Sequence, residues 1–337
     1  MKAAIFKGPY ELTVDEYSLP KLDKSEILIK VDVCGLCGTD FHIYSGEAPS
    51  RPPIIPGHEY VGTIVEKDKN AEGISIGDHV AIDPNIYCGE CYYCRQGKIN
   101  FCTNLKALGV TRHGGFAEYS IVPSSQVYLL PKDLPFKSAA FAEPLSCCVH
   151  GMDQASIRLG ESVGIIGGGT IGLTMLQLVK ISGAGKIILI EPVKSKREIA
   201  ARLGADYTFD PNSEDIFAQI AELTSGGPDI IIECVGKSEA ANLALKLTKK
   251  GGRIVVFGLS EKKDTMEVNL QNFFHKELEI KGSLLNPFTF GRSVELLATK
   301  KVNVEQFNPV QFNLDRLQDV LKGQRDFSVI KYQVSPN

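Results

Sequence analysis

Short segments in which apolar and polar residues alternate run through the first 147 residues of the chain. Such alternation is typical of β-strands with one buried face. Glycine and proline pairs, which favour turns, separate these segments. The pattern predicts a β-rich first domain with strands at Glu26–Val33, Tyr60–Lys67, His79–Ile82 and Tyr119–Val122.

The pattern changes near Gly151, beyond which short apolar runs alternate with segments of helical periodicity. This order predicts βαβ units around a doubly wound parallel sheet. After about Asn286 an amphipathic helix, Arg292–Thr299, and short strand-like pieces should pack back on the first domain. The predicted strands of the second domain are Val163–Ile166, Lys186–Ile190, Asp229–Cys234 and Arg253–Phe257, and helices should end near Lys180, Leu203 and Lys249.

Composition narrows the class of protein. A chain of 337 residues is about right for two domains, and a net charge of −3 does not suggest the basic face that a nucleic-acid partner needs.

The N-terminus lacks the apolar core of a signal peptide. The apolar stretch Val163–Val179 contains five glycines, and we interpret it as a buried strand that leads into a helix, not as a membrane span. Nine cysteines, an odd number clustered at metal-binding spacings, predict a reducing cytoplasmic location.

Four of these cysteines lie within fifteen residues, in the segment CGECYYCRQGKINFC. Their spacing, C-x2-C-x2-C-x7-C, lets four thiolates close a tetrahedral shell around one Zn²⁺ and leaves no open position. A closed shell of four ligands holds the surrounding loop in one conformation. We therefore predict a structural zinc site at Cys88, Cys91, Cys94 and Cys102.

A glycine-rich segment, GGGTIG, fits the pattern G-x-G-x-x-G. It follows the predicted strand SVGII and opens the helix TIGLTMLQLVK, which is the context that a dinucleotide-binding loop requires. The cofactor's phosphates would then lie at a helix N-terminus, where backbone N–H groups favour an anion. The predicted cofactor contacts in this segment are Gly167, Gly169, Ile171 and Gly172.

Glu191 ends the next predicted strand, nineteen residues after Gly172. A carboxylate there can accept hydrogen bonds from the hydroxyls of an adenine ribose and would repel a 2′-phosphate, so NAD is favoured over NADP. Lys196, a further predicted cofactor contact, and Arg197 lie close by and weaken that preference. The alternative is a Rossmann domain that binds no cofactor.

A second group of metal-binding residue types is spread along the chain: Cys37, then His58 with Glu59, and much later Glu143. Three protein ligands and a water would form a catalytic zinc site, where the metal lowers the pKa of a bound alcohol. Other interpretations stay open on spacing alone. Cys34 and Cys37 form a C-x2-C that could be a redox pair, a lone cysteine is often a small buried apolar residue, and a lone histidine is often structural.

A set of segments together resembles the zinc-dependent medium-chain dehydrogenase/reductase family: CGLCGTDFH, PGHEYVGTIV, the cysteine segment, GGFAEY, AEPLSC, the glycine loop and KGGRIVVFG. The match covers essentially the whole chain, and the GHE motif followed by the cysteine lobe is highly specific. The resemblance implies an α/β fold in which a GroES-like β-rich catalytic domain is formed by residues 1–147 and 286–337. Its zinc lobe would span about 84–104, and residues 148–285 would form an inserted Rossmann domain that binds NAD.

The resemblance also implies a second, catalytic zinc ion, which gives two per chain. Cys37 and His58 match the family's first two zinc ligands, and Glu59 matches the acid that can ligate or support the metal. Glu143 stands where other alcohol dehydrogenases have a second cysteine, and a glutamate there resembles the polyol (sorbitol-type) branch. Cys34 is left with a packing role beside the site.

The implied reaction oxidises a secondary alcohol of a polyol to a ketose by hydride transfer from a zinc-bound alkoxide to NAD. Thr39 matches the residue whose hydroxyl bonds the substrate oxygen, and His42 matches the histidine that passes the proton to solvent. The segment KGSLLNPFTF resembles the one that closes over substrate in polyol dehydrogenases. Asn286 is therefore a candidate substrate contact, with a plain turn residue as the alternative.

Two other substrate classes compete with a polyol. Threonine dehydrogenases share GTD-x-H-I-Y and GHEYVG, but they have a histidine where this chain has Asn85 and an aspartate in place of Glu143. A phosphorylated polyol would need a basic partner, for which the candidates, each also an ordinary surface charge, are Arg51, Arg112 and Arg292.

Two other classes of protein fit less well. Family members without zinc lack both groups of metal-binding residues, which this chain keeps, and a zinc-ribbon nucleic-acid binder is opposed by the acidic balance. We therefore expect a small-molecule polyol as partner, no nucleic acid and no membrane. The resemblance implies a homodimer or homotetramer.

Overall fold

The computed structural model describes residues 1–336, which form two compact units. The first unit contains residues 1–146, 286–300 and those from 308 onward, and the second contains residues 147–285 and 301–307. The segment 301–307 departs from the predicted division, which placed all of 286–337 in the first domain. It joins the second unit because the Gln177 carboxamide accepts a hydrogen bond from the Asn303 N–H at 2.7 Å and donates to the Asn303 carbonyl at 3.3 Å.

The first unit consists mainly of strands. In chain order its elements before the second unit are β1 (Lys2–Gly8), β2 (Glu11–Glu16), β3 (Glu26–Gly35), α1 (Gly38–Ser45), β4 (Glu59–Lys67), β5 (His79–Ile82), β6 (Asn85–Ile86), α2 (Tyr92–Arg95), β7 (Lys106–Ala107), β8 (Tyr119–Pro123), β9 (Val127–Leu129) and α3 (Phe136–Ala139). Helix α4 (Ala142–Ala155) then carries the chain into the second unit.

The second unit alternates strands and helices, as the apolar runs predicted. Its elements are β10 (Ser162–Ile166), α5 (Thr170–Ile181), β11 (Lys186–Ile190), α6 (Lys194–Leu203), β12 (Tyr207–Phe209), α7 (Ile216–Thr224), β13 (Ile230–Glu233), α8 (Ser238–Leu247), β14 (Arg253–Val256), α9 (Leu270–Lys276) and β15 (Glu279–Gly282). All strand pairs are parallel, in the order β12–β11–β10–β13–β14–β15. The order reverses direction at β10, where a doubly wound sheet binds its ligand at the carboxyl ends of the strands.

The tail of the chain returns to the first unit through α10 (Phe290–Ala298), β16 (Val310–Phe312), α11 (Leu317–Leu321) and β17 (Tyr332–Val334). There β17 pairs antiparallel with β3. The resulting sheet has the order β16–β17–β3–β4–β5–β9, and β8 also pairs with β3. These tail elements therefore pack on the first unit, whereas residues 301–307 between them belong to the second.

The alternating pattern of β3 explains why this strand lies at the centre of its sheet. Ile27, Ile29 and Val31 point to one face and are fully buried, and each such side chain contributes roughly 1.5–3 kcal/mol relative to an exposed one. In the described part of the chain, helices that are both long and apolar enough to cross a membrane do not occur. The apolar stretch Val163–Val179 comprises most of β10, the glycine loop and most of α5, as interpreted from the sequence.

Candidate metal centres and nucleotide site

The four-cysteine lobe is closed at its base by pairing of β6 with β7. The Cys88 sulfur lies 3.5 Å from that of Cys102 and 4.0 Å from that of Cys94, and the ligand atoms of all four cysteines lie within 4.8 Å of one another. In a tetrahedral site with Zn–S bonds of about 2.3 Å, the sulfurs are about 3.8 Å apart. The lobe therefore has the dimensions of a tetrahedral zinc site.

Backbone N–H groups point at the lobe's sulfurs. Cys88 donates to the Cys102 sulfur at 3.3 Å, and Cys91 donates to the Cys88 sulfur at 3.4 Å. Such bonds to backbone N–H groups lower the pKa of Cys91 to about 6, whereas burial and the neighbouring Cys91 raise the pKa of Cys94 to about 12. Four crowded thiols therefore do not ionise together without a cation, and a divalent metal would hold all of them as thiolates.

The first unit holds a second centre, formed by Cys37, His58 and Glu59, whose ligand atoms lie within 4.8 Å of one another. The pairing of β3 with β4 sets Gly35 opposite Glu59, so the segments that follow β3 and precede β4 meet at one end of the sheet. Cys37 caps the N-terminus of α1, where its N–H donates to the Asp40 carboxylate at 2.8 Å. We call this group the first centre.

The electrostatics of the first centre fit a bound cation. The His58 Nδ1 and the Asp40 Oδ1 are buried, lack a hydrogen-bond partner and lie 3.6 Å apart. Although burial opposes protonation, the charges of Asp40 and Cys37 raise the pKa of His58 well above its usual value. A buried imidazole thus faces several anionic groups, and a metal ion would supply the missing positive charge.

Lys331 is a residue of the first centre that the sequence did not reveal. Its ammonium forms an ion pair with the Glu59 carboxylate, and both side chains are buried. The approach requires glycine at position 35, since a Cβ there would lie 2.1 Å from the Glu59 Oε2. Burial disfavours the charged ammonium, but the neighbouring Glu59 raises the pKa of Lys331. In the sequence Lys331 stands between two apolar residues of a strand-like segment, a pattern typical of a solvent-facing lysine.

Glu143, predicted as a zinc ligand, is not among the three residues of the ligand group. It occupies the first turn of α4 and is buried. Burial raises the pKa of Glu143 to about 7; the charge of His58 opposes this shift, and that of Glu59 adds to it. The structure thus brings three of the four predicted ligands together and places the fourth within their electrostatic reach.

The two predicted proton-handling residues share helix α1. The Thr39 hydroxyl lies 3.7 Å from the Cys37 sulfur. His42 follows one turn later, and its Nδ1 lies 2.7 Å from the Glu47 carboxylate, with the imidazole partly exposed. The helix therefore runs from the first centre towards solvent.

Cys34 is separate from the ligand group. It is fully buried, its thiol contacts the Gly35 carbonyl at 3.6 Å, and burial raises its pKa well above the usual range. All nine cysteines are free thiols, so Cys34 and Cys37 form no disulfide. A neutral packing role for Cys34 agrees with these contacts.

Asn286, the predicted substrate contact, is 2% exposed. Its carboxamide oxygen accepts from the Asn85 side chain at 2.8 Å. Its nitrogen donates to the Ser146 hydroxyl at 2.8 Å and to the Asp83 carboxylate at 3.3 Å. Protein groups thus engage the polar atoms that a substrate would need.

The second unit carries the glycine loop at the switch point of its sheet. Gly167 follows β10 with a φ of +104°, and a Cβ on Gly172 would lie 1.8 Å from the Gly167 carbonyl oxygen. By contrast, a Cβ on Gly169 would meet nothing within 4 Å, so the N-terminus of α5 borders open space. Ile171 lies in the first turn of α5. The loop has the tight turn and the accessible helix start that a pyrophosphate requires.

Glu191, the residue that follows β11, is buried beside the glycine loop. Its two carboxylate oxygens accept from the backbone N–H groups of Gly168 at 2.6 Å and Val193 at 2.9 Å. The next helix, α6, carries Lys196, which is half-buried. The carboxylate is thereby fixed where the edge of a ribose would approach the loop.

Comparison with known proteins agrees with this arrangement. Residues 23–132 match the family profile described as an alcohol dehydrogenase GroES-like domain, and residues 170–299 match that of a zinc-binding dehydrogenase. D-arabinitol dehydrogenase 1 of Uromyces fabae is 32% identical over 341 residues, which cover 100% of this chain and 97% of that protein. L-threonine 3-dehydrogenase of Pyrococcus horikoshii is 38% identical over 268 residues, covering 78% of this chain and 77% of the relative.

Among solved structures, a protein of Sinorhizobium meliloti 1021 described as a zinc-binding dehydrogenase, with bound NADP, superposes with a TM-score of 0.96. It is 37% identical, and the match covers 99% of each chain. The motifs, the metal centres, the doubly wound sheet and these relatives agree. This chain therefore belongs to the zinc-dependent medium-chain dehydrogenase/reductase family and is an alcohol dehydrogenase of that family.

Proposed function

We propose that this alcohol dehydrogenase oxidises a secondary hydroxyl of a polyol or sugar alcohol to a ketose, with NAD as hydride acceptor. The observation that carries the proposal is the presence of Glu143 beside Cys37, His58 and Glu59. A centre with one thiolate and nearby carboxylates resembles the polyol branch of the family. The D-arabinitol dehydrogenase relative, which spans the whole chain, supports the same substrate class.

The residues of the first centre divide the chemistry among them. Cys37, His58 and a carboxylate from Glu59 or Glu143 would hold zinc, which when bound stabilises negative charge on the substrate oxygen, while the nicotinamide accepts hydride. Thr39, beside the Cys37 sulfur, is placed to accept a hydrogen bond from a substrate hydroxyl at this centre and to relay its proton by passing on the hydrogen of its own hydroxyl.

The proton then needs a route to solvent. His42 lies one turn beyond Thr39 on α1, is partly exposed and contacts Glu47. We propose that this histidine receives the proton and releases it to water. Alcohol oxidation and carbonyl reduction would use the same route in opposite directions.

The preference for NAD over NADP is part of the proposal and depends on Glu191. Replacing Glu191 with serine should raise the NADP-to-NAD affinity ratio at least about tenfold, because like charges near a protein surface repel by more than 1.4 kcal/mol at contact distance. Titration of both cofactors by fluorescence measures the ratio. Glu198→Ser, at an exposed glutamate on α6, the helix that follows Glu191, is the matched control. A wild-type protein that binds NADP as tightly as NAD would contradict this part of the proposal. NADP is the relevant competitor because the structure of the 37% identical relative contains bound NADP.

L-threonine is the second candidate substrate, favoured by the 38% identity to a threonine dehydrogenase. Against it stands Asn85, which occupies the position of that subfamily's histidine and whose side-chain nitrogen donates to Asn286. A phosphorylated polyol is a third candidate. Of the three candidate arginines for a phosphate, Arg112 is paired with Glu26 at 3.0 Å.

The decisive test is NADH formation by the zinc-loaded protein with sorbitol, xylitol, arabitol, inositol, galactitol 1-phosphate, threonine, butanediol and ethanol. A preference for one unphosphorylated polyol of at least about tenfold in kcat/KM, or 1.4 kcal/mol, is the expected result. Turnover of only threonine or simple alcohols would overturn the polyol assignment and leave the dehydrogenase class intact. The cytoplasmic location and the homodimer or homotetramer stay predictions.

A further inference from the structure

Two asparagines, Asn85 and Asn286, are 201 positions apart in sequence and meet in the interior of the first unit. The Asn286 carboxamide lies between three polar partners: the Asn85 amide, the Ser146 hydroxyl and the Asp83 carboxylate. Asn85, Asn286 and Ser146 are 8%, 2% and 0% exposed. Water therefore has little access to replace a bond that is lost.

One end of this connection is the base of the cysteine lobe. Asn85 lies in β6, three residues before Cys88, and pairs with Ala107 of β7 across the base. The Leu108 N–H also donates to the Pro84 carbonyl at 3.0 Å. The asparagine thus projects from a segment that two backbone pairings hold in place.

The other end is the first turn of α4, which carries Glu143. The Ser146 hydroxyl, which accepts from Asn286, donates to the Glu143 carbonyl at 2.6 Å. The same turn is held by two further hydroxyls, since Thr289 donates to the Ser146 carbonyl at 2.7 Å and Ser293 donates to the Ala142 carbonyl at 2.8 Å. The position of Glu143 is thereby tied to the segment that Asn286 begins.

We propose that Asn286 is a positioning residue of the first centre. Through Ser146 it fixes the turn of α4 that bears Glu143, and it anchors that turn to the base of the cysteine lobe. The Glu143 carboxylate is thereby kept beside His58 and Glu59. The inference rests on the proposed function, because it assigns to Glu143 a role at the metal.

This role differs from the substrate contact that the sequence context of Asn286 suggested. Because the carboxamide uses its oxygen and its nitrogen within the protein, it acts on the reaction through Glu143 and not through substrate. Removing a polar partner from a buried network leaves the others unsatisfied. Groups that orient metal ligands without touching the metal typically change metal affinity 10- to 100-fold when lost.

The test is cobalt binding at the first centre of Asn286→Ala. Zinc is removed from this centre with a mild chelator while the lobe keeps its metal, and Co²⁺ is then titrated with visible absorption and metal analysis as readouts. We expect the Kd for Co²⁺ to rise about tenfold or more and the ligand-field bands to change, with the lobe metal retained. Asn313→Ala, an exposed asparagine of the same unit without a side-chain cap bond, should match wild type.

A second variant keeps the inference testable if Asn286→Ala does not fold. Ser146→Ala removes the hydroxyl that links Asn286 to the Glu143 turn, and it should reproduce the loss of cobalt affinity and the spectral change. Affinity and spectrum equal to wild type in both folded variants would overturn the inference and leave the proposed function standing. Failure of wild-type protein to bind cobalt at the first centre would overturn the proposed function, and the inference with it.

Discussion

Replacing Cys37 with alanine should lower kcat by at least about a thousandfold while NAD binding stays unchanged. Cys37 supplies one of three clustered ligand atoms at the first centre. Metal stabilisation of a developing oxyanion is worth several kcal/mol, and each 1.36 kcal/mol is a factor of about ten in rate. Cys37 belongs neither to the glycine loop nor to the segment around Glu191 that together form the proposed nucleotide site. Initial rates of NADH formation and a fluorescence titration with NADH measure the two effects separately.

The matched control is Cys34→Ala, three residues earlier. Cys34 is fully buried, and its thiol lies outside the ligand group, so its loss should cost some stability through a small cavity and leave turnover within a few-fold of wild type. If Cys37→Ala kept more than a tenth of the wild-type rate, the first centre would not be the site of chemistry. If both substitutions abolished turnover in folded protein, the C-x2-C pair would have to be reconsidered as a functional unit.

Local patterns predicted those elements whose burial is regular. The alternation of Glu26–Val33 predicted β3 to within two residues, and His79–Ile82 and Lys186–Ile190 match their strands. By contrast, β15 and α9 carry no such signal. The strand EIKG at Glu279–Gly282 is short and has no fully buried position, and the residues of α9 are not buried. Nothing in the periodicity of these segments distinguishes them from loop.

The candidate site could be predicted in its residue types and only partly in its contacts. Cysteine and histidine spacing pointed to two metal centres because ligand chemistry is restricted to few side chains. Lys331, however, reaches Glu59 across 272 positions, and Asn286 reaches Asn85 across 201. Such pairs depend on which strands and segments become neighbours, and a single sequence does not encode that in any local pattern.

For Glu143, too, the sequence predicts the residue type but not the contact. The sequence identified it as a carboxylate in a ligand position, but whether its oxygen lies within bonding distance depends on the rotation of α4. It is not among the three residues of the ligand group, and the hydroxyls of Ser146, Thr289 and Ser293 donate to backbone carbonyls of its helical turn. Residue type could thus be assigned from sequence, and geometry could not.

The cysteine lobe should respond to mutation in the opposite way to the first centre. Cys91→Ala should lower the free energy of unfolding by about 4 kcal/mol, a size typical of metal loss, while turnover per folded molecule stays within a few-fold of wild type. The four sulfurs have the dimensions of one closed tetrahedral site, so removing one thiolate weakens metal binding that contributes directly to folding. Urea unfolding, with rates normalised to the folded fraction, measures both quantities.

Turnover should persist because backbone pairing that does not involve the metal also holds the base of the lobe. The pairing of Asn85 with Ala107 across β6 and β7 does not involve the metal, so Asn85 can still meet Asn286 when the lobe loosens. Tyr92→Ala, an exposed neighbour that supplies no ligand, is the control and should change stability by less than about 0.5 kcal/mol. If Cys91→Ala abolished turnover in fully folded protein, the division into one structural and one catalytic metal centre would be wrong, because chemistry would then depend directly on the lobe.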